Sequence, residues 1–534
     1  MPASTSLLDG KLKAGHSRAS IALILLSMGG GLSYIAFHLT RDLDTASVTS
    51  AGSYLLLAVA LLIALGFEFV NGFHDTANAV ATVIYTHSME PNMAVVWSGF
   101  CNLAGVLLSS GAVAFAVIAL LPVDLILQIS SGTGFALVFA LLIAAILWNL
   151  GTWWFGLPAS STHTLVGSMI GVGIANQMMH AHMGAAGVDW GQAVKVLEAL
   201  LISPFLGFAC AGLLLYVSKR TIKYPSLYEA PKNSQPPPWP IRILMVLTCT
   251  GVSFFHGSND GQKGMGLIML ILIGTVPAAY ALNHAFSAQD MQALVAVSEQ
   301  ADHILGRYAD PAGIPSPGTP SPDPRTEVTG YIGSEHLQPD TVLAVRKLVE
   351  DVNQELTVHK VFKSIPAQDQ TRVRNDMYVI SEALRLMASN HNPGFTAQEG
   401  ATLADYRGKL DRSTKFIPDW VKVAVALALG LGTMIGWKRV VITVGEKIGK
   451  KHLTYAQGAS AGLVAMGTIF AATRFGLPVS TTHILSSGVA GTMTANGSGL
   501  RFNTVRNIAA VWIFTLPAAA LLSGILYWVF CAVS

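Results

Sequence analysis

The 534-residue chain is 52% hydrophobic and only 12% charged, with a formal net charge of +3. Soluble domains carry roughly 25% charged residues. Half that density at this length, with a mean hydropathy of +0.51, excludes an ordinary water-soluble protein and sets many segments against hydrocarbon. The small, dispersed excess of positive charge gives no footprint for nucleic acid.

About 20 apolar residues cross a bilayer core as a helix, and isolated strands cannot satisfy their backbone in lipid. The fold class is therefore an all-α polytopic membrane protein. Lys11, Lys13 and Arg18 precede the first apolar run, 20–38. That run is long for a signal peptide and no clear small-x-small cleavage site follows, so a retained helix is expected. Further spans are read at 53–70, 93–121, 135–150, 197–217, 240–255, 419–437, 455–473 and 508–531. Shorter apolar pieces at 76–86, 164–175, 261–273 and 484–495 are additional spans or half-helices, for a total of about 10–12 transmembrane helices. Cys101, Cys210, Cys249 and Cys531 lie in or beside apolar runs without CxxC spacing, and read as packing residues rather than disulfides or metal ligands.

Two motifs occur twice. Residues 66–81, "GFEFVNGFHDTANAVA", align with 251–266, "GVSFFHGSNDGQKGMG", so that Gly66, Phe69, Gly72 and Asp75 match Gly251, Phe254, Gly257 and Asp260. Residues 155–165, "FGLPASSTHTL", match 475–485, "FGLPVSTTHIL", at eight of eleven positions. The offsets are 185 and 320, so the second copy holds about 135 extra residues between its motifs, and the polar stretch 283–417 accounts for them. That stretch contains a linker-like "DPAGIPSPGTPSPDP" and charged helical patterns such as "TVLAVRKLVEDVNQEL". It reads as an inserted, water-facing domain with a structural or regulatory role. The organisation is an N-terminal segment with its helix (1–45), a membrane repeat (46–218), a basic linker (219–239), a second repeat (240–282 and 418–534) and the insertion (283–417).

Membrane-spanning internal repeats are typical of secondary transporters, which hold the site at the repeat interface. Lys219, Arg220, Lys223, Lys232 and Arg242 in one loop, and Lys438, Arg439, Lys447, Lys450 and Lys451 in another, mark both loops as cytoplasmic. The insertion is too long for that rule.

The chemistry follows from the motifs. Pro158 breaks a helical pattern and is followed by Ser160, Ser161 and Thr162; Pro478 is followed by Ser480, Thr481 and Thr482. A helix N-terminus with free N–H groups and hydroxyls suits an anion. Hydroxyl residues also cap broken helices without any ligand, but two copies in a membrane favour an anion site. Asp75 and Asp260 sit in the same apolar context, where a charge costs ~2.5–3.5 kcal/mol. Asp75 with Asn78, and Asp260 with Lys263, are spaced i, i+3 and share a helix face. Anion donors beside two carboxylates repel the substrate unless a proton or metal cation travels with it. Carboxylates also accept hydrogen bonds from protonated phosphate and find no such donor on sulfate, which favours phosphate. His74 and Asn71 in one motif answer Asn259 and His256 in the other. These residues, with Glu68, Asp75 and Asp260, are the coupling-ion candidates, and Asp75 and Asp260 the candidates for a co-transported metal. Each histidine, including His163 and His483, has the alternative of a hydrogen-bonded core residue.

"NGFHDTANAVATVIYT", "HGSNDGQKGMG", "FGLPASSTHT" and "GLPVSTTHILSS" together closely resemble the inorganic phosphate transporter (PiT) family, in its bacterial low-affinity Pit branch. The likeness continues through "ALALGLGTMIGWKRV" and "GEKIGKKHLTYAQG", and does not cover 1–45 or the insertion. It implies uptake of phosphate by proton symport, as a neutral complex of hydrogen phosphate with magnesium or a similar divalent metal. It also implies an inverted-repeat helical bundle, usually a homodimer, as a multi-pass protein of the bacterial inner membrane with no bound cofactor. Asp75, Asn78, Ser160, Ser161, Thr162, Asp260, Lys263, Ser480, Thr481 and Thr482 fall on the family's substrate and cation positions. The family's large polar loop is usually cytoplasmic, which implies the same for 283–417. Sodium-coupled relatives repeat an ANDVANA-like motif in both halves, whereas Gln262 and Lys263 stand here where the first copy has Ala77 and Asn78. Lys263 would then occupy or repel a sodium site.

Other readings are a sulfate or other oxyanion permease, a sodium-coupled phosphate symporter, and a channel. An intramembrane metal-dependent hydrolase using His74 and Asp75 is the reading from a different class. No HExxH or GxSxG pattern supports an enzyme, and no P-loop supplies nucleotide energy.

Overall fold

The computed structural model describes residues 18–43, 51–121, 132–179, 187–231, 235–309 and 323–533. The named elements within them are all helices, as a bilayer requires of its spanning segments. α1 (Arg18–Leu43) lies in the N-terminal segment, and α2 (Ala51–Tyr85), α3 (Pro91–Leu107), α4 (Ala112–Ile118), α5 (Gly132–Trp154), α6 (Ser161–Met179) and α7 (Trp190–Thr221) follow in the stretch read as the first repeat. After the basic linker comes α8 (Trp239–Thr275), and then the insertion with α9 (Ala288–Tyr308), α10 (Pro324–Ser334), α11 (Thr341–Val358), α12 (Ala367–Ser389) and α13 (Ala397–Thr414). The second repeat resumes with α14 (Asp419–Thr433), α15 (Tyr455–Arg474), α16 (Thr481–Ala495) and α17 (Phe502–Val533).

Two expected pairs of elements are single helices. The runs 53–70 and 76–86 join in α2, which has 35 residues, and 240–255 and 261–273 join in α8, which has 37. The polar stretches Asn71–Asp75 and Asn259–Asp260 cause no break: the backbone ladder stays intact, with His74, Asp75 and Asn259 bonded to neighbouring helices, Asp260 paired with Lys263 and Asn71 with Glu68 of its own helix. The run 93–121 breaks instead, with α3 and α4 bent by 78° around Gly111, whose φ is +87°. The pieces 164–175 and 484–495 lie in α6 and α16, which start just after the proline-bearing turns.

Five helices among the described residues are long and apolar enough to cross a membrane, or up to seven if each bent pair is one span. The protein is a multi-pass membrane protein. The short α16 (15 residues) fails that test on length, and in α6 glycine, serine and threonine dilute the apolar character.

The two motif helices are held by one kind of crossing, used twice. A side chain at Gly72 would strike the Leu429 carbonyl and one at Gly432 the Phe69 carbonyl, where α2 meets α14. Likewise Gly105 faces the Phe254 carbonyl and Gly257 the Asn102 carbonyl, where α3 meets α8. Close backbone approach through small residues is how helices pack without a hydrophobic drive. Each repeat thus clamps the other's motif helix.

α2 and α8 run antiparallel. Thr82 and Met245 both touch the space over Gly458, near the C-terminus of one helix and the N-terminus of the other. At that end Arg242 Nε donates to the Ser88 carbonyl (2.9 Å), Lys219 Nζ to Asn496 Oδ1 (2.8 Å) and the Lys450 N–H to the Gly499 carbonyl (3.0 Å). At the opposite end Tyr280 and Trp420 both donate to Asp42 Oδ2 (2.7 and 3.3 Å). The insertion lies at this second end, with α12 over the ends of α4 and α8. Its α12–α13 contact is tied by Glu382, which accepts from Arg385 (2.6 Å) and Lys415 (3.1 Å). Burial pushes the Glu382 carboxyl up, and the two cations more than offset this, leaving it below its ordinary value.

α8 therefore separates the insertion from the basic linker 219–239 by about 55 Å of helix. Insertion and linker cannot both be cytoplasmic, and the positive-inside rule speaks for the linker. In a variant without native cysteines, Val358→Cys on the insertion is expected to react with an impermeant maleimide on intact spheroplasts. Lys451→Cys is expected to react only after permeabilisation. Labelling of both from one side would contradict this arrangement.

Candidate functional site

The turns Gly156–Ser160 and Gly476–Ser480 end the hairpins α5/α6 and α15/α16. Gly156 (φ +66°) and Gly476 (φ +68°) reverse the chain, and Ser160 and Ser480 then cap the new helices. Ser160 Oγ accepts from the His163 N–H (3.2 Å) and Ser480 Oγ from the His483 N–H (3.1 Å). Both serines act as helix caps. Ser161 and Thr162 of one hairpin and Thr482 of the other reach the centre.

There Asp75 accepts from both hairpins at once. Ser161 Oγ donates to Oδ2 at 2.7 Å and Thr482 Oγ1 to Oδ1 at 2.5 Å. Ser161 Oγ also lies 3.5 Å from Asp260 Oδ2, so one hydroxyl spans the two carboxylates. Lys263 pairs with Asp260 Oδ1 at 2.7 Å and donates to Thr162 Oγ1, which itself donates to the Val479 carbonyl (3.0 Å). Every one of these side chains is buried. His256 completes the cluster: Nε2 stands 3.9 Å from Asp75 Oδ2 and 3.7 Å from Asp260 Oδ2, while Nδ1 is held by Asn102 Oδ1 at 2.8 Å. Asn102 is fixed in turn by donating to Thr433 Oγ1 (3.1 Å). His74 contacts Asp75 Oδ1 through Nδ1 (3.3 Å) and Thr152 Oγ1 through Nε2 (3.1 Å).

Of the expected residues, the structure brings Asp75, Ser161, Thr162, Asp260, Lys263, Thr482, His74 and His256 together. Thr481 is buried with its hydroxyl unpartnered. Asn259 turns away, donating to Thr473 Oγ1 and the Leu477 carbonyl (both 3.1 Å). Glu68 and Asn71 form a separate pair (3.5 Å) two turns along α2. Asn78 lies in α2 with its side chain outside the described residues. The His163 and His483 rings lie tilted against each other with centroids 4.3 Å apart, and His483 stacks on Trp512 at 4.0 Å. Sequence reading missed Asn102, Thr433 and Thr152. Asn102 carried a signal, as an amide in the middle of the apolar α3; Thr152 and Thr433 did not, because threonine is common in such helices.

The chemistry on offer is a set of hydroxyl donors and one ammonium, facing two carboxylates and an imidazole. One ligand atom each from Asp75, His256 and Asp260 lies within 4.8 Å of the others. Two oxygens and a nitrogen at that spacing could hold a small divalent cation.

Residues 71–523 match the phosphate transporter family. The chain belongs to this family. It is 40% identical over 490 residues to the low-affinity inorganic phosphate transporter PitB of Escherichia coli (strain K12), covering 89% of this chain and 96% of that protein. A probable low-affinity inorganic phosphate transporter of Bacillus subtilis (strain 168) is 26% identical over 477 residues, with 89% and 97% covered. A solved structure described as the sodium-dependent phosphate transporter is similar at 19% identity and a TM-score of 0.47, covering 90% of this chain and all of that one. As a transporter-family member the protein is not an enzyme, so the hydrolase reading falls.

Removing one partner of a buried ion pair strands the other, at about 3–5 kcal/mol. Lys263→Met is therefore expected to lower the thermal unfolding midpoint in detergent, and Asp260→Asn/Lys263→Met together to recover more than half of the loss. An unchanged midpoint for the single variant would show that Asp260 does not rely on Lys263.

Proposed function

We propose that this chain takes up inorganic phosphate with low affinity, by secondary active symport of a neutral divalent-metal phosphate with protons. The observation that carries this reading is the double grip on Asp75. Hydroxyls from two broken helices, one per repeat, converge on a single buried carboxylate. Released from it, the same hydroxyls and the adjacent helix N-termini are donors for a tetrahedral oxyanion. Asp75 and Asp260 accept the hydroxyl protons that hydrogen phosphate has and sulfate lacks. The relatives named as low-affinity inorganic phosphate transporters support the substrate.

The cation follows from charge. A dianion beside two carboxylates is repelled, and one Lys263 ammonium, already paired with Asp260, cannot balance it. A divalent metal held by Asp75, His256 and Asp260 removes the repulsion and enters as part of the substrate. Lys263 stands where the first motif has Asn78, and its ammonium keeps sodium out, leaving the proton as the driving ion.

The same reading takes the repeats as inverted, with about 10–12 spanning helices, in a homodimer of the bacterial inner membrane. The antiparallel motif helices and the twice-used glycine crossing support the inversion. With the site at the crossing, rocking of one repeat against the other would expose it alternately.

Proteoliposomes given an inward proton gradient should accumulate labelled phosphate. Magnesium should raise uptake, excess sulfate should not compete, and Asp75→Asn should lower the rate at least tenfold. Full competition by sulfate, or uptake driven by sodium alone, would overturn the substrate or coupling assignment respectively. Lys263→Asn should introduce some sodium dependence; a variant with active uptake indifferent to sodium would remove the assigned role of the ammonium.

A further inference from the structure

Glu68 is fully buried in α2 and takes no part in the anion cluster. Its carboxyl lies directly on the α-carbon of Gly264: a methyl group there would fall 2.2 Å from Glu68 Cγ. Asn71 Nδ2 reaches Glu68 Oε2 at 3.5 Å, whereas Glu68 Oε1 and Asn71 Oδ1 have no partner. The charged side chains that act on it are Asp260 and Lys263, both on α8, and Lys263 is already committed to Asp260 and Thr162. The elements α3, α4, α5 and α14 bring no acidic, basic or histidine side chain to this level.

The acid also breaks the repeat. At the offset of 185 that pairs Asp75 with Asp260, Glu68 pairs with Ser253. Ser253 has an ordinary structural role, bonding the Ser98 hydroxyl at 2.8 Å. Scaffold features of this molecule come in pairs, and Glu68 does not. An ionisable residue inside a membrane is a functional-site hypothesis by default.

We propose that Glu68 is the coupling-proton site, separate from the phosphate site, with Asn71 as its hydrogen-bond partner and Gly264 as the residue that makes room for it. A metal cation needs several oxygens around it; the two unpartnered oxygens here suffice for a proton alone. On the outer side Glu68 binds H⁺ as the neutral acid, whose O–H is donated to Asn71 Oδ1 once the amide turns over. On the inner side the acid releases H⁺ to water. The carboxylate left behind, packed on the residue next to Lys263, competes with Asp260 for the ammonium and so loosens the Lys263–Thr162 contact that holds the two hairpins. Proton release and phosphate release are thereby linked. This inference rests on proton symport as proposed above.

Glu68→Gln in proteoliposomes tests it, with labelled phosphate and magnesium in two assays. Phosphate-for-phosphate exchange needs no net proton movement and is expected to persist, with a flat pH profile. Accumulation under a proton gradient is expected to fall from several-fold to the equilibrium level, and Glu68→Asp to restore part of it. Gradient-driven accumulation by Glu68→Gln equal to the parent would overturn the proposal. So would loss of exchange together with accumulation in a variant that still binds phosphate by thermal shift, because Glu68 would then serve the rocking itself. Sodium-driven accumulation appearing at Glu68 would overturn the choice of ion. If the unmodified protein itself ignores the proton gradient, the symport reading fails instead, and the two failures are distinguishable.

Discussion

Two buried carboxylates facing each other across a membrane protein set the terms for the rest of this structure. Asp75 and Asp260 each cost a few kcal/mol to place there, and they share Ser161 and flank the same imidazole. The molecule compensates with donors drawn from both repeats: Ser161 and Thr162 from α6, Thr482 from α16, Lys263 from α8. No single segment could supply them. The broken helices, the two glycine crossings and the antiparallel motif helices all serve to bring these donors to one point.

The compensation is incomplete, and this is what makes the site useful. The hydroxyls satisfy the carboxylates only while no better partner is present. His256 approaches both acids without a hydrogen bond to either, and Thr481 keeps a buried hydroxyl unpartnered. On the proposed reading, such groups are poised for a ligand that brings both acceptors and positive charge, as a metal phosphate does. A structure that satisfied every atom internally would bind nothing.

Much of this was legible in the sequence because polar residues in apolar runs are expensive and therefore informative. Asp75, Asp260, the hydroxyl triplets and Lys263 all announced themselves in that way, and the repeat told which belonged together. Helix continuity was not legible. An Asn-Gly-x-His-Asp stretch in water would argue for a break, yet α2 and α8 run straight through, since tertiary partners absorb the polar groups. The division of labour within the triplets was also hidden: spacing cannot tell that Ser160 and Ser480 cap while Ser161 and Thr482 point inward. Nor could sequence place the insertion, since its sidedness depends on α8 being one helix rather than two.

The central claim is that one oxyanion is held between the hairpins of both repeats. The most direct measurement is a structure with arsenate, a tetrahedral analogue of phosphate, located by its anomalous scattering. The account predicts a peak within hydrogen-bond reach of Ser161 and Thr482, with Asp75 turned toward the anion or its metal. A peak confined to one hairpin, or at the basic surface loops with the centre unchanged, would contradict it.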